Sequence, residues 1–252
     1  MAAIQAGAGS VYFGVGVLNM RARSSINFTP RDLVKISRIC RTQNVKTYIT
    51  MNTVIYDAEV VEMKRMIDSA KKNGVNAIIA SDHAVIQYSR SVGMPVHIST
   101  QANITNLDAV KYWSQVADVM VMARELSLEQ VASITRSIKR QKITGPSGNP
   151  VQIEVFAHGA LCMAVSGKCY LSLDHYNASA NRGACYQLCR RPYLVTDPES
   201  GIELGVDNEY IMSPKDLCTI GFLDKILDAG VSVLKIEGRG RSPEYVKTVV
   251  SC

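Results

Sequence analysis

Asp57–Ser81, DAEVVEMKRMIDSAKKNGVNAIIAS, contains the two patterns on which the fold depends. Its first part places apolar residues at helical spacing and ends in Lys-Lys-Asn-Gly, with cations in the last turn and a glycine just beyond, as at the end of a helix. Its second part, Ala77–Ala80, is a short, continuous apolar run, which is typical of a parallel strand covered on both faces. The stretch therefore predicts a helix over Asp57–Asn73 followed by a buried parallel strand.

The same alternation recurs along the chain, for example at the apolar run Val119–Met122. Alternating strands and helices imply a mostly parallel sheet, and seven or eight such units favour a closed barrel over an open doubly wound sheet. The glycine-rich residues 7–16 lack the GxGxxG spacing of a dinucleotide site. We therefore predict one α/β domain over residues 1–252, a TIM-like β/α-barrel, because such barrels commonly have about this length. The predicted strands are Val11–Gly14, Lys46–Asn52, Asn76–Ser81, Pro95–Gln101, Asp118–Ala123, Gln152–His158, Glu209–Pro214 and Val231–Glu237.

Composition sets broad limits on function and location. Hydrophobic residues make up 47% of the chain and charged residues 20%, as in a globular protein with a core. The net charge of +6 permits an anionic substrate or RNA without indicating either. No apolar run approaches the ~20 residues that span a bilayer, and the N-terminus lacks the pattern of a secretory signal. We expect a cytoplasmic protein with no membrane partner, whose cysteines need an explanation other than disulfides.

Polar side chains follow five of the predicted strands. Each one alone is better explained as a helix cap or a loop hydrogen bond, but their recurrence favours a shared site at the carboxyl ends of the strands. For the Glu, Arg and Lys residues, a network of ion pairs that orients the strand ends is an equally good explanation. Carboxylates and imidazole are candidate acids and bases, and the cations are candidates for holding a carboxylate or phosphate. The candidate catalytic residues are His158, Glu125 and Glu237, and the candidate substrate-binding residues are Arg124, Gln101, Lys235, Arg239 and Arg241.

Four cysteines lie in a loop rich in Gly, Ser and Asn, directly after the strand that ends at His158. They are Cys162, Cys169, Cys185 and Cys189, with the spacing C-x6-C-x15-C-x3-C. Four thiolates satisfy either a tetrahedral zinc ion or an iron–sulfur cluster, and this spacing matches neither zinc-finger pairs nor the ferredoxin run. Arg182, Arg190 and Arg191 are expected to lower the thiol pKa values. We predict a metal-binding insertion over residues 159–208; four buried free cysteines are the weaker interpretation.

Several motifs resemble the peptidase U32 family, also called collagenase-like. The longest is Glu154–Cys169, EVFAHGALCMAVSGKC, followed by Asn181–Cys185 and Cys189–Tyr193. Together the matching motifs span nearly the whole chain. The others are Val11–Gly14, Ser99–Asn103, Ala123–Ser127, Ser213–Leu217 and Lys235–Arg239.

The resemblance implies a barrel with a cysteine-rich insertion. Some members of the family are named proteases, and others hydroxylate tRNA, ribosomal RNA or ubiquinone precursors without oxygen. The hydroxylating members carry a 4Fe–4S cluster on four cysteines, and prephenate is implicated as a small carboxylate co-substrate in the RNA branch. Carried over, the cluster ligands are Cys162, Cys169, Cys185 and Cys189, with zinc as the alternative. Against the family pattern, the first strand and the smaller C-terminal domain are missing, so we expect an incomplete barrel.

Taken together, the sequence favours an iron–sulfur-dependent, oxygen-independent RNA hydroxylation enzyme. Neither HExxH nor GxSxG occurs, which removes two common hydrolase patterns. A Cys/His pair using His158 would need a thiolate that the metal already occupies. A metal-associated, collagenase-like peptidase acting on peptides is the alternative. A non-enzymatic RNA- or protein-binding module ranks third, because no aromatic-studded basic stretch for stacking single-stranded bases is evident.

Overall fold

The computed structural model describes residues 1–23, 28–204, 212–213, 215–238 and 240–252. In these ranges a sheet of seven parallel strands is connected mainly by helices. The helices and strands, in chain order, are α1 Ala2–Gln5, β1 Ser10–Gly14, α2 Pro30–Thr42, β2 Lys46–Met51, α3 Val60–Lys72, β3 Ala77–Ala80, α4 His83–Ser91, β4 Val96–Ile98, α5 Leu107–Ser114, β5 Val119–Val121, α6 Leu128–Gln141, β6 Gln152–Gly159, α7 Leu171–Tyr176, β7 Val195–Thr196, β8 Glu203–Leu204, β9 Leu217–Cys218, α8 Leu223–Asp228, β10 Val233–Glu237 and α9 Pro243–Ser251.

The parallel strands are ordered β1-β2-β3-β4-β5-β6-β10, so each pairs with the next parallel strand along the chain, as in a β/α-barrel. The two edge strands approach each other. The Tyr12 hydroxyl on β1 lies 3.2 Å from the carbonyl oxygen of Ile236 and 3.1 Å from the carboxylate of Glu237, both on β10. No backbone ladder joins β1 to β10 within the described ranges. The predicted α/β class is confirmed, and the sheet is a curled half-barrel rather than a fully hydrogen-bonded TIM barrel.

The two sides of the sheet have different chemistry, because successive side chains of a strand point to opposite faces. On the outer side, fully buried residues such as Ile78, Ile98 and Met120 belong to one apolar core with Met63 and Ile67 of α3. On the inner side, several buried or half-buried residues are polar. They are Tyr48, Thr50, His97, Glu154 and Lys235.

Most predicted strands match observed strands to within a few residues. The predicted helix over Asp57–Asn73 begins as a 3-10 turn at Asp57–Glu59 and continues as α3. The predicted strand Glu209–Pro214 falls mostly outside the residues that the structure describes. Instead, β9 adds to β6 in antiparallel orientation, with His158 opposite Cys218. None of the helices in the described ranges is long and apolar enough to span a membrane.

Candidate functional site

A cavity of about 150 Å³ lies at the carboxyl ends of the parallel strands. Strand ends and the loops after them form one wall, and residues 160–194, which we call the cysteine loop, form the other. The cavity therefore joins the two regions that carry the predicted site residues. Side chains from the strand wall include Tyr12, Asn52, Gln101, Arg124, Phe156, Lys235 and Glu237, and those from the cysteine loop include Cys162, Cys169, Cys185, Cys189 and Arg190.

Lys235 carries a buried positive charge to this cavity. Its ammonium lies 2.6 Å from the Glu154 carboxylate, and both side chains are less than 10% exposed. The ammonium also lies 4.3 Å from the centre of the Tyr12 ring and 5.8 Å from that of Phe156. A buried charge requires a partner of this kind, since unpaired burial is strongly unfavourable. Glu154 and the two rings therefore fix the position of the ammonium.

His97 lies on the inner side of β4. Its ring centre is 4.5 Å from that of Tyr48, and its Nδ1 has no hydrogen-bond partner among the described residues. The pKa of His97 is lowered to about 4, mainly because the ring is buried; Glu154 opposes this shift and Lys235 contributes to it. The imidazole is therefore neutral near pH 7. His97 and Glu154 were not predicted as site residues, although a polar side chain inside an otherwise apolar strand was a visible signal.

Gln101 is held at the cavity by its neighbours. Its Nε2 donates to the carbonyl oxygen of Asn52 at 2.7 Å, and its Oε1 accepts from the Ser99 hydroxyl at 3.1 Å. Asn103, two residues further on, donates to the carbonyl oxygen of Ser166 at 3.3 Å. The loop after β4 thus both presents an amide to the cavity and contacts the cysteine loop.

The four predicted metal ligands all line this one cavity. Cys189 is buried, Cys169 and Cys185 are half-buried, and Cys162 is exposed. Burial raises the pKa of the Cys189 thiol; Arg190 opposes the shift, and the three other thiols reinforce it. Within the described ranges, no three His, Cys, Asp or Glu side chains come close enough together to ligate one metal ion.

The donor set allows the two predicted metal centres to be compared. A single zinc ion needs all its thiolates at about 2.3 Å, which draws the sulfurs tightly together. In a four-iron cluster each thiolate binds a different iron, so the sulfurs stand farther apart around a shared centre. Four thiols that line one cavity supply the number of thiolates that either centre requires.

Arg182 has a different environment from the one expected. Its guanidinium makes two hydrogen bonds with the Glu59 carboxylate at 2.5 and 2.6 Å and donates to the Val54 carbonyl oxygen at 2.5 Å. It also stacks on the Tyr56 ring at 3.8 Å. These bonds lower the pKa of Glu59. Arg182 therefore connects the cysteine loop to the segment before α3. Of the three arginines expected near the sulfurs, Arg190 lies 3.9 Å from Cys189 Sγ.

Three predicted site residues, His158, Arg241 and Glu125, do not line this cavity in the described part of the chain. A bulge between β6 and β10 pairs Phe156 and His158 with consecutive residues of β10, which shifts the alternation of side chains between the two faces of the sheet. The centre of the His158 ring lies 5.7 Å from that of Tyr245 on α9. Arg241 pairs with Asp216 at 2.6 Å. Glu125 lines a neighbouring cavity of about 850 Å³. Arg239 lies outside the described residues.

Comparisons with known proteins agree with the motif resemblance. A sequence model described as Peptidase family U32 matches residues 1–252. A collagenase of Porphyromonas gingivalis is 60% identical over 252 residues, covering 100% of this chain and 61% of the relative. A 23S rRNA 5-hydroxycytidine synthase of Escherichia coli is 33% identical over 99% of this chain and 36% of the relative. A tRNA hydroxylation protein of Bacillus subtilis is 32% identical over 99% of this chain and 58% of the relative.

The chain thus spans about three fifths or less of the length of these relatives. Among solved structures, a U32 peptidase matches with a TM-score of 0.47 at 12% identity, covering 61% of this chain and 62% of the other.

Proposed function

Because the chain belongs to Peptidase family U32, we propose that it is an iron–sulfur-dependent enzyme that hydroxylates tRNA or ribosomal RNA without oxygen. The observation that carries the proposal is that four cysteines share one cavity with Lys235 and Glu237. The thiols would hold a 4Fe–4S cluster, which supplies electron transfer when bound. A reducing compartment such as the cytoplasm would keep these thiols available to the cluster.

The strand wall supplies the groups that would bind and orient the reactants. Arg124 has no carboxylate within 4.0 Å among the residues described, so its guanidinium is available to an anion. Arg124 and the Lys235 ammonium would hold a small carboxylate co-substrate such as prephenate, because cations bind carboxylates by charge-assisted hydrogen bonds. Glu237, beside the Tyr12 hydroxyl, is positioned to accept or donate a proton at the bound reactant.

Metal content tests the first half of the proposal. Protein purified without oxygen should be brown, with iron and sulfide in equal amounts and absorbance that tails into the visible. Cys169→Ala should lose this iron, and the matched control Cys252→Ala should keep it, since Cys252 is exposed and does not line the cavity. A colourless protein that contains zinc would contradict the cluster.

RNA analysis tests the second half. Mass spectrometry of tRNA and ribosomal RNA from a gene-deletion strain should show the loss of a hydroxylated nucleoside. The wild-type gene should restore that nucleoside, and Glu237→Gln should not. RNA that is identical in the deletion and parent strains would remove the RNA substrate.

A collagenase-like peptidase is the second candidate, and the 60% identical collagenase of Porphyromonas gingivalis favours it. The described cavity has four cysteines and one carboxylate, Glu237, but no Ser/His/Asp arrangement within its lining. Purified protein that cleaves collagen, with cleavage unaffected by Cys169→Ala, would establish the peptidase and displace the cluster-dependent reaction.

A further inference from the structure

The outer surface of the cysteine loop carries an exposed aromatic pair flanked by arginines. The rings of Tyr176 and Tyr186 have centres 5.2 Å apart and are 50% and 37% exposed. Arg191 lies 5.5 Å from the centre of the Tyr176 ring and donates to its hydroxyl at 2.6 Å. Arg23 donates to the Tyr186 hydroxyl at 3.4 Å. We call these four residues the tyrosine platform.

The platform is anchored by buried backbone contacts. The amide of Tyr186 donates to the hydroxyl of Ser172, which is 2% exposed, at 3.0 Å. The amide of Arg23 donates to the carbonyl oxygen of Gly183 at 3.0 Å. Gly183 has φ of +82°, and a Cβ there would lie 2.7 Å from the carbonyl oxygen of Asn19. Because these contacts fix the backbone, little ordering is needed when a ligand binds.

The platform has a positive electrostatic character. In the part of the chain that the structure describes, neither Arg23 nor Arg191 has a carboxylate within 4.0 Å. The same loop also contains the exposed cation of Lys168. Helix α7 contributes one acidic residue, Asp174. Exposed aromatic rings combined with uncompensated cations are the features that bind single-stranded nucleic acids, in which rings stack on bases and cations contact phosphates.

We infer that the tyrosine platform binds single-stranded RNA, with bases stacked on Tyr176 and Tyr186 and phosphates held by Arg23 and Arg191. This inference rests on the proposed RNA-modifying function and names the surface that recognises the substrate. Tyr186 directly follows Cys185, which lines the cavity, so a strand on the platform passes beside the reaction site. Duplex RNA does not suit the platform, because its bases are stacked within the helix and unavailable to the rings.

The spacing of residues in the sequence does not reveal the tyrosine platform. The two tyrosines are ten residues apart, and Arg23 is separated from Tyr186 by 163 residues. No continuous aromatic-studded basic stretch is evident in the sequence. The folded chain brings the platform together, because the segment after β1 packs against the cysteine loop.

Fluorescence anisotropy with the whole chain tests the inference. The probe is a labelled oligouridine of about 12 nucleotides, within the usual site size of such surfaces, compared with an RNA duplex of the same length. The single strand should bind more tightly than the duplex. Tyr176→Leu and Tyr186→Leu should each raise Kd about 5- to 100-fold, and Tyr→Phe at the same positions should have a much smaller effect because the ring is kept. The matched control is Tyr112→Leu, an exposed tyrosine on α5, which should leave Kd unchanged.

Salt dependence separates a phosphate contact from general packing. Arg191→Gln should reduce the slope of log Kd against log salt by about 0.7, the value for one phosphate contact with a single strand. Unchanged slopes and unchanged Kd in both Leu variants would overturn the inference. Binding of a labelled Gly-Pro-rich peptide that is lost in Tyr176→Leu, in place of RNA binding, would overturn it as well and assign the surface to peptides.

The two proposals fail in distinguishable ways. If the deletion strain lacks a hydroxylated nucleoside but the Leu variants bind oligouridine normally, the tyrosine platform is wrong and the proposed function stands. If the Leu variants bind weakly but the RNA of the deletion strain is unchanged, the platform is supported and the hydroxylation reaction is wrong.

Discussion

The half-barrel and the cysteine loop are held together in different ways. In the half-barrel, one continuous apolar core fills the space between sheet and helices, and residues such as Ile78 and Ile98 are completely buried. The cysteine loop contains one α-helix, the six residues of α7, and it is attached by polar contacts such as that between Arg182 and Glu59. A region stabilised by many similar contacts tolerates the loss of one contact, whereas a region attached by a few specific contacts depends on each of them.

The largest expected effect lies on the polar inner side of the half-barrel. Glu154→Leu leaves the Lys235 ammonium buried without its carboxylate partner at 2.6 Å. Removal of one member of a buried ion pair costs about 3–5 kcal/mol, so the free energy of unfolding in urea should fall by about that amount. Because the ion pair lies inside the half-barrel, we expect the loss of stability to affect the whole half-barrel in one cooperative unfolding transition.

A double variant distinguishes loss of the charge partner from loss of packing. Glu154→Leu combined with Lys235→Met removes both charges and should recover much of the stability, because apolar residues of similar volume often replace a buried pair without cost. Equal instability of the single and double variants would show that the ion pair is not what Glu154 contributes.

The second prediction concerns pH and also addresses the half-barrel. His97 has a pKa of about 4 when folded and about 6.5 when unfolded, so between these values the unfolded chain binds a proton that the folded chain does not. Stability should therefore fall as the pH drops from about 6.5 to 4, by about 3 kcal/mol in total from this residue. Glu154, Lys235, Asp118 and Lys46 all act on this ring.

Urea unfolding at a series of pH values measures the effect. His97→Gln should flatten the acid side of the stability profile in this range, since no imidazole is left to protonate. The exposed His175 provides the matched control: His175→Gln should retain the slope. A slope that persists in His97→Gln would assign the acid sensitivity to the carboxylates instead.

The half-barrel is the region whose structure the sequence predicts best. Strand and helix patterns are local, so runs such as Val119–Met122 correctly identify strands of the half-barrel. The expectation that a shared site lies at the carboxyl ends of the strands also agrees with the cavity, which is lined by Gln101, Arg124, Lys235 and Glu237. His158 leaves that face because of a bulge, which the spacing of strand residues does not reveal.

The cysteine loop was predictable in composition but not in conformation. Its thiols were selected by residue type, by their grouping in one loop and by the family resemblance, whereas its attachments pair residues far apart in the chain. Arg182 was expected near sulfur and instead pairs with Glu59, 123 residues away. No periodicity connects such positions, because the pairing depends on how the loop folds back over the barrel.

The third prediction tests that attachment directly. Arg182→Met removes the bidentate bond to Glu59, in which both side chains are about a quarter exposed. Because both side chains are partly exposed, the loss of free energy should lie between those for buried and surface pairs, at about 1–2 kcal/mol. We expect this loss to affect the cysteine loop rather than the half-barrel. Limited proteolysis should therefore cleave residues 160–194 faster, with little change in the urea midpoint of the half-barrel.

Arg136→Met, an exposed arginine on α6, provides the control for loss of a cation and should not change the cleavage rate. Equal cleavage of Arg182→Met and the wild-type protein would mean that other contacts hold the loop. A large fall in global stability would show that the loop and the half-barrel unfold as one unit.

The smallest expected effect belongs to a local feature of the half-barrel, the N-terminal cap of α6. Ser127 caps α6: its hydroxyl accepts from the Gln130 amide at 3.3 Å, and the Gln130 side chain accepts from the Ser127 amide at 2.8 Å. Ser127→Ala should lower the free energy of unfolding by about 1 kcal/mol, and Ser127→Asp, which can still cap, should have a smaller effect. Because the capping residues are three positions apart, this contact forms with the helix itself, unlike the attachment of Arg182. If Ser127→Ala accelerated proteolysis of the cysteine loop as much as Arg182→Met does, the two regions would not be independent in stability.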